Sequence, residues 1–171
     1  SGGVGMPDKW QRLWAPHRMS YLTGENRPLP GNDVVCPFCA IQKMSDEEGL
    51  IVARGKEAYV VMNLYPYNPG HLLICAYRHV ADLTDLSDSE RNEISSLTAH
   101  AMKVLRKVSN ASGFNLGMNQ GAISGAGVAG HIHQHIVPRW AGDANFMPIV
   151  GKTKVLPQLL QETRSALAAN W

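Results

Sequence analysis

Three of the chain's seven histidines alternate with other residues in one short segment, His131-Ile132-His133-Gln134-His135. Side chains two residues apart on a β-strand point to the same face, so this spacing predicts that three imidazoles gather on one surface. Imidazole titrates near neutral pH and serves as nucleophile, hydrogen-bond donor or metal ligand. The segment predicts a reaction centre. The simpler alternative is a strand whose histidines occur there by chance or chelate metal at the surface.

A run of small residues, Ser124 to Gly130, leads directly into the histidine segment. Small residues let backbone N–H groups approach phosphate oxygens closely. Such a run is more often a flexible turn when it stands alone. Beside three histidines, anion binding becomes the better interpretation.

A pair of cysteines, Cys36-Pro37-Phe38-Cys39, has the spacing of a zinc knuckle, although it supplies only two of the four ligands that zinc needs. A redox pair would require a βαβ setting that the sequence does not show. Cys75 lies in an apolar run and is predicted to be a small buried residue. Metal binding is therefore the favoured interpretation of the knuckle.

The elements that must position these residues follow from local patterns. Ser87 to Glu90 form a capping-box pattern that opens a helix over about 87–110, and Pro157 begins a second helix that runs to about Ala169. Runs rich in β-branched and apolar residues predict strands at 50–53, 58–63, 71–77, 114–119 and 131–137. Without regular βαβ alternation, several strands and two main helices predict the α+β class.

Composition bounds the kinds of protein that this chain can be. Its 171 residues, 44% hydrophobic and 18% charged, are typical of a single soluble globular domain. The net charge of +2 is small and scattered, which argues against a nucleic-acid surface. We find neither an apolar run of about 18 residues nor a signal-peptide pattern, so we expect no membrane partner and a cytoplasmic protein.

The segment from His131 to Val137 resembles the defining motif of the histidine-triad (HIT) family, and the segment from Asn63 to Leu73 resembles its upstream motif. The two motifs occur in the order and at the separation that the family shows, and the resemblance covers residues 36–140. We take these residues as the HIT domain, residues 1–35 as an N-terminal leader and arm, and residues 141–171 as a C-terminal extension with a helix. Within the family, the ending Pro138-Arg139-Trp140 and the residues after it most resemble the actinobacterial branch that contains diadenosine tetraphosphate phosphorylases.

The resemblance implies a half-barrel-like antiparallel sheet of about five strands with helices on one side. Family members usually pair across a two-fold axis, so a homodimer is expected. The segments outside the matching region could add a second interface and make a tetramer.

The resemblance also implies roles for individual residues. His133 would attack the α-phosphate of a nucleotide, His135 would donate to a phosphate oxygen, and His71 would support the cluster, so no catalytic cofactor is required. The implied nucleotide-binding positions are Asn63, Asn119, Gln120, Ala126, Gly127, His135 and Trp140, although Trp140 could equally be a core or interface residue.

Two further implications concern the metal and the phosphate acceptor. As in zinc-bearing family members, His79 and His131 would join Cys36 and Cys39 in a structural zinc site of the Cys₂His₂ type. Many members place Ala-Gly-Gln before the triad, whereas residues 125–127 here are Gly-Ala-Gly. The contacts of that glutamine are therefore missing, which leaves water and inorganic phosphate both open as acceptors.

The expected function is a nucleotidyl transferase or hydrolase that acts on adenosine nucleotides through a nucleotidyl-histidine intermediate. With phosphate as acceptor, diadenosine tetraphosphate would give ATP and ADP. Alternatives within this class are a nucleoside phosphoramidase and a dinucleoside polyphosphate hydrolase. The alternative of another class is a nucleotide-binding protein whose triad is catalytically idle.

Overall fold

The computed structural model describes residues 36–63, 70–126, 128–142 and 156–171. Five strands are present: β1 (Ile51–Arg54), β2 (Ala58–Met62), β3 (Leu72–Ala76), β4 (Gly113–Met118) and β5 (His133–Arg139). The α-helices are α1 (Pro37–Ile41), α2 (Asp46–Gly49), α3 (Asp88–Ser109) and α4 (Leu156–Ala169), and 3₁₀ turns lie at Leu83–Asp85 and Ala122–Ser124.

The strands form one sheet in the order β1-β2-β3-β5-β4, and every neighbouring pair is antiparallel. This confirms the predicted α+β class and the number of strands. The predicted boundaries were off by one or two residues, most importantly at β5, which begins at His133 and not at His131. Before that point the chain has left the ladder, because the Ile132 amide donates to the Val80 carbonyl (2.7 Å).

The bounds of helix α3 are set by residues at its two ends. The Ser87 side chain accepts from the Glu90 amide while the Glu90 carboxylate accepts from the Ser87 amide, which is the predicted capping box. The helix stops at Asn110, whose φ of +55° places it in the left-handed region. It thus spans one residue less at each end than predicted.

The two long helices cover the same face of the sheet. Leu105 of α3 and Leu167 of α4 are buried in one apolar cluster with alternate residues of the strands, among them Val60, Leu72, Ile74 and Ile136. The helix predicted from Pro157 is thus observed as α4, and its residue Leu167 is part of the core.

Among the residues that the structure describes, no helix is long and apolar enough to cross a membrane.

Gly70 shows how closely α3 approaches the start of β3. A Cβ built at this position would lie 2.8 Å from Cδ2 of Leu105, and the φ of +84° is in the region that side chains disfavour. A side chain here would strain the backbone and displace the end of Leu105, so glycine is favoured immediately before His71.

The opposite face carries a smaller apolar cluster, which consists of Phe38, Ile41, Ile51, Tyr59, Val61, Leu73 and Cys75. His133 and His135 belong to this face, because they lie opposite Cys75 and Leu73 in the β3–β5 register. We call the two sides the helix face and the histidine face.

Candidate functional site

His133 is the best-defined group on the histidine face. It is 6% exposed, and its Nδ1 lies 2.9 Å from the backbone oxygen of His131. A carbonyl can only accept, so Nδ1 carries the proton and donates. In the neutral ring the lone pair then resides on Nε2, which is the atom that can attack an electrophile.

His135 and His71 form a second pair beside His133. Nε2 of His71 lies 3.1 Å from Nδ1 of His135, and the ring centroids of His133 and His135 are 4.9 Å apart. Nε2 of His135 is buried and has no hydrogen-bond partner among the described residues. If His71 donates its proton to Nδ1 of His135, then Nε2 of His135 is an N–H donor that still needs an acceptor.

The electrostatics keep these rings neutral at physiological pH. Burial lowers the pKa of His71 to about 3 and that of His135 to about 4, and neighbouring histidines add to both shifts. Burial also lowers the pKa of His133 from its ordinary value. A neutral His133 keeps its Nε2 lone pair, which nucleophilic attack requires.

Asn63 joins this cluster at the end of β2. Its side-chain nitrogen lies 3.4 Å from both ring nitrogens of His71, and its backbone amide donates to the His71 carbonyl (2.8 Å). The side chain is almost completely buried. The structure therefore brings Asn63 together with His71, His133 and His135.

The other residues that the sequence predicted to bind the nucleotide do not all lie in this cluster. Asn119 is exposed after β4, and Ala126 is half-buried in the loop before the triad, whereas Gly127 lies outside the described residues. Both ends of the Gln120 side chain are engaged, since Oε1 accepts from the Leu83 amide (2.9 Å) and Nε2 donates to the Ala81 carbonyl (3.0 Å). Gln120 thus ties the loop after β4 to the loop after β3.

Trp140 follows the end of β5. Its indole N–H donates to the carbonyl of Ser109 (2.9 Å), at the C-terminal end of α3. This bond gives the half-buried ring a structural partner on the helix that covers the opposite face from the histidines. The bond is compatible with both roles predicted for Trp140, because it engages the indole N–H and not the face of the ring.

The cysteine knuckle meets two histidines at the other end of β5. The ligand atoms of Cys36, Cys39, His79 and His131 all lie within 4.8 Å of one another. Nδ1 of His131 is 3.4 Å from the Cys36 sulfur, and Nδ1 of His79 is 3.3 Å from the Cys39 sulfur. Tetrahedral zinc with bonds of about 2.0–2.3 Å has ligand–ligand edges of about 3.3–3.8 Å, so these two sulfur–nitrogen distances fit.

The protonation of the cluster also fits a cation. Nε2 of His131 donates to the Ala76 carbonyl (2.7 Å), which leaves Nδ1 unprotonated and directed at the cysteines. Burial raises the pKa of the Cys36 thiol to about 11, so a thiolate here requires a compensating positive charge. These residues could hold one metal ion.

Sequence reasoning did not single out the side chains that hold the knuckle against the sheet. The Tyr59 hydroxyl donates to the Phe38 carbonyl (2.6 Å), and the Phe38 ring lies against His133 with 4.7 Å between centroids. Arg54 donates to the carbonyls of Gln42 and Met44, just after α1. The available signal was the position of Phe38 between two metal-ligand candidates.

Comparisons with known proteins agree with this geometry. A model of the HIT domain matches residues 45–142. A Mycobacterium tuberculosis protein named AP-4-A phosphorylase is 51% identical over 99% of this chain and 88% of its own length. A Schizosaccharomyces pombe protein named bis(5'-nucleosyl)-tetraphosphatase [asymmetrical] is 37% identical over 53% of this chain and 49% of its own. A zinc-bound histidine triad family protein from Mycobacterium smegmatis shares the fold, with a TM-score of 0.59 and 24% identity over 81% of this chain and 96% of that one.

Proposed function

Because the chain belongs to the HIT domain family, we propose that it transfers an adenylyl group from diadenosine tetraphosphate to inorganic phosphate through His133. The observation that carries this proposal is the bond from Nδ1 of His133 to the His131 carbonyl, which assigns the lone pair to Nε2. The M. tuberculosis relative named AP-4-A phosphorylase supports the choice of substrate and acceptor.

The reaction would run in two steps. Nε2 of His133 forms a bond to the α-phosphorus, the bond from that phosphorus to the bridging oxygen breaks, and ATP leaves. An oxygen of inorganic phosphate then attacks the same phosphorus, the P–N bond breaks, and ADP is formed. The first bond joins the AMP unit to His133, and the second step restores the neutral histidine.

The neighbouring groups would stabilise the charge on the phosphate oxygens. The Nε2–H of His135 has no partner among the described residues and would donate to a non-bridging oxygen, with His71 fixing its tautomer. Backbone N–H groups near Ala126 and Gly127 would supply further donors. We propose that Asn63 and Asn119 contact the ribose and phosphates, whereas Gln120 and Trp140 are engaged in bonds to the backbone.

We propose zinc as the metal for the cluster of Cys36, Cys39, His79 and His131. Two thiolates and two imidazoles in a closed set of four are the ligands of a structural zinc site. Bound zinc would join the knuckle to the segment that leads into β5. Metal analysis of the purified protein should find about one zinc per chain, and Cys39→Ser should lower that content, whereas Cys75→Ser, at a cysteine outside the cluster, should not.

A homodimer through the edge of the sheet completes the proposal. In the described sheet β4 pairs only with β5, and Leu116 on β4 is 46% exposed. An exposed edge strand with an apolar side chain favours pairing with a second copy. Light scattering should give twice the mass of one chain, and Leu116→Lys should shift the mass towards that of a monomer. A tetramer and the cytoplasmic location stay predictions.

Product analysis tests the proposed reaction. We would incubate the protein with diadenosine tetraphosphate, with and without inorganic phosphate, and separate the products by chromatography. ATP and ADP that require phosphate, and that are lost in His133→Asn, are the expected result. His100→Asn is a matched control, because His100 lies on α3 and bonds to the Trp171 carbonyl.

Other outcomes identify the alternatives. AMP and ATP formed without phosphate would indicate a hydrolase, as the name of the S. pombe relative suggests for that protein. Cleavage of adenosine phosphoramidates alone would indicate a phosphoramidase. AMP binding without turnover of any of these substrates would mean that the triad is idle.

A further inference from the structure

One side chain, Phe38, contacts both the metal cluster and the proposed nucleophile. Its ring centroid lies 5.7 Å from that of His131 and 4.7 Å from that of His133, and the side chain is fully buried. In the sequence Phe38 stands between Cys36 and Cys39. The loop that would hold the metal therefore also contacts His133, the proposed nucleophile, through the Phe38 ring.

The backbone of Phe38 is attached to the sheet independently of any metal. Its carbonyl accepts hydrogen bonds from the Tyr59 hydroxyl (2.6 Å) and from Nε2 of Gln42 (3.2 Å). Tyr59 is itself fully buried in β2. The backbone at Phe38 is therefore held to the sheet by Tyr59. Cys36 and Cys39, on either side of Phe38 in the sequence, would be held by a bound metal.

A packing contact of this kind is needed to orient His133, because its hydrogen bond fixes only one ring atom. The bond from Nδ1 to the His131 carbonyl sets the tautomer, but it leaves the plane of the ring free to tilt. In-line attack on phosphorus requires a defined direction of the Nε2 lone pair, and a displacement of about 1 Å can cost about 100-fold in rate. The tilted contact with Phe38, at 43° between the ring planes, restricts that motion.

We propose that Phe38 is a positioning residue for His133 and that the Cys36–Cys39 loop couples metal binding to alignment of the nucleophile. The proposal rests on the assignment of His133 as the nucleophile. On this view the metal site aligns His133 for the first chemical step as well as stabilising the fold. It predicts that a change in the loop slows nucleotidyl transfer without weakening nucleotide binding.

The variant Phe38→Leu tests the proposal, because leucine keeps the site apolar and removes the ring. The matched control is Phe114→Leu, at a half-buried phenylalanine of β4 that packs with the core of the helix face and lies under Arg106. Four quantities are measured on both proteins and on the wild type: zinc content, AMP affinity, the single-turnover rate of adenylyl-histidine formation, and the ¹⁵N NMR signals of His133.

The expected result is specific to Phe38→Leu. Formation of the intermediate should slow by about 10- to 100-fold, while zinc content and AMP affinity change by less than about twofold. The ¹⁵N signals of His133 should shift or broaden because the ring samples several tilts, while the bond to the His131 carbonyl keeps a single tautomer. Removal of zinc from the wild type with a chelator should change the His133 signals in the same direction, and Phe114→Leu should leave them unchanged.

Other results would overturn the proposal. An unchanged rate in Phe38→Leu means that the ring does not position His133. Weaker AMP binding with an unchanged rate at saturation makes Phe38 a ligand contact. Unchanged His133 signals after removal of zinc refute the coupling. A wild type that forms no adenylyl-histidine refutes the proposed function itself, which is a distinct outcome.

A second variant guards against poor folding of Phe38→Leu. Tyr59→Phe retains the Phe38 ring and removes only the hydroxyl that bonds to its carbonyl. We expect a rate reduction of a few-fold with unchanged AMP affinity. An unchanged rate in this variant together with an unfolded Phe38→Leu would also count against the proposal.

Discussion

The two faces of the sheet differ in how completely their buried polar groups are paired. On the helix face, the buried polar groups of α3 are paired: Thr98 donates to the Ile94 carbonyl, and Glu90 pairs with Arg78. On the histidine face, the buried Nε2 of His135 has no partner among the described residues. Four imidazoles are grouped there, and burial lowers the pKa of each of them.

This difference indicates that stability and activity depend on opposite sides of the sheet. The larger apolar cluster packs against α3 and α4, whereas the histidine face contains a buried polar atom that a ligand would satisfy. We therefore expect the helix face to contribute mainly to stability and the histidine face mainly to activity. Substitutions on the two faces should separate the two properties.

The largest effect on stability is expected for Leu167→Ala on the helix face. Leu167 is 1% exposed in the core, so truncation should lower the free energy of unfolding by about 2–5 kcal/mol. Turnover per folded molecule should stay within about twofold of the wild type. Urea unfolding and active-enzyme titration measure the two quantities. Ala169→Ser, at an exposed position of the same helix, should change stability by less than about 0.5 kcal/mol. A smaller loss in Leu167→Ala than in this control would break the comparison.

His135→Leu should give the opposite pattern. Loss of the donor to the phosphate should lower the rate of transfer by about 100- to 1,000-fold. The substitution removes a buried nitrogen without a partner, which favours stability, but it also removes a partner of Nε2 of His71 (3.1 Å), which opposes it, so the free energy of unfolding should change by no more than about 1 kcal/mol. Single-turnover kinetics and urea unfolding test both halves. A destabilisation as large as that of Leu167→Ala would show that the histidine face also holds the fold together.

Acid should destabilise the protein through the histidine face. The folded-state pKa values of His71 and His135 are about 3 and about 4, below the ordinary value of 6.5, so the unfolded chain binds protons first as the pH falls. Their contribution to stability is complete above pH 6.5 and is lost as the pH falls to the folded-state pKa, about 4 for His135 and about 3 for His71. Each histidine adds a limiting slope of about 1.4 kcal/mol per pH unit. Urea unfolding of metal-loaded protein between pH 7 and 5 should show a smaller slope for His135→Leu than for the wild type, and equal slopes would contradict these shifts.

Gln120 gives the smallest expected effect and tests where the histidine face ends. Its two backbone bonds predict that Gln120→Ala lowers the free energy of unfolding by about 1 kcal/mol, with little change in KM for the dinucleotide. Gln120→Glu, which keeps the acceptor for the Leu83 amide, should lose less. A tenfold rise in KM without loss of stability would instead assign Gln120 to nucleotide binding. Thermal unfolding and steady-state kinetics distinguish the two.

Several features of the protein could be predicted because they depend on neighbours in the sequence. The capping box of Ser87 and Glu90 fixes the start of α3 through bonds within one helical turn. The spacing of Cys36 and Cys39 predicted a metal-binding pair, and the alternation from His131 to His135 predicted a group of histidines; the structure places Cys36 and Cys39 in a cluster that could hold a metal ion. Runs of β-branched and apolar residues also predicted the strands. The order of the strands in the sheet could not be predicted in this way, because it depends on the pairing of β3 with β5, which are distant in the sequence.

The sequence by itself determined which residues are candidates for the chemistry, because spacing and residue type are local properties. Only the tertiary structure decided which of these residues lie in the candidate metal cluster and which lie beside His133. His131 leaves the ladder, bonds to the Ala76 carbonyl and turns its other nitrogen to cysteines that precede it by 95 and 92 residues. It is also the fold that places Phe38 on His133 and points both ends of Gln120 at the backbone. Contacts between residues so distant in the chain depend on the packing of the whole sheet, which no local pattern encodes.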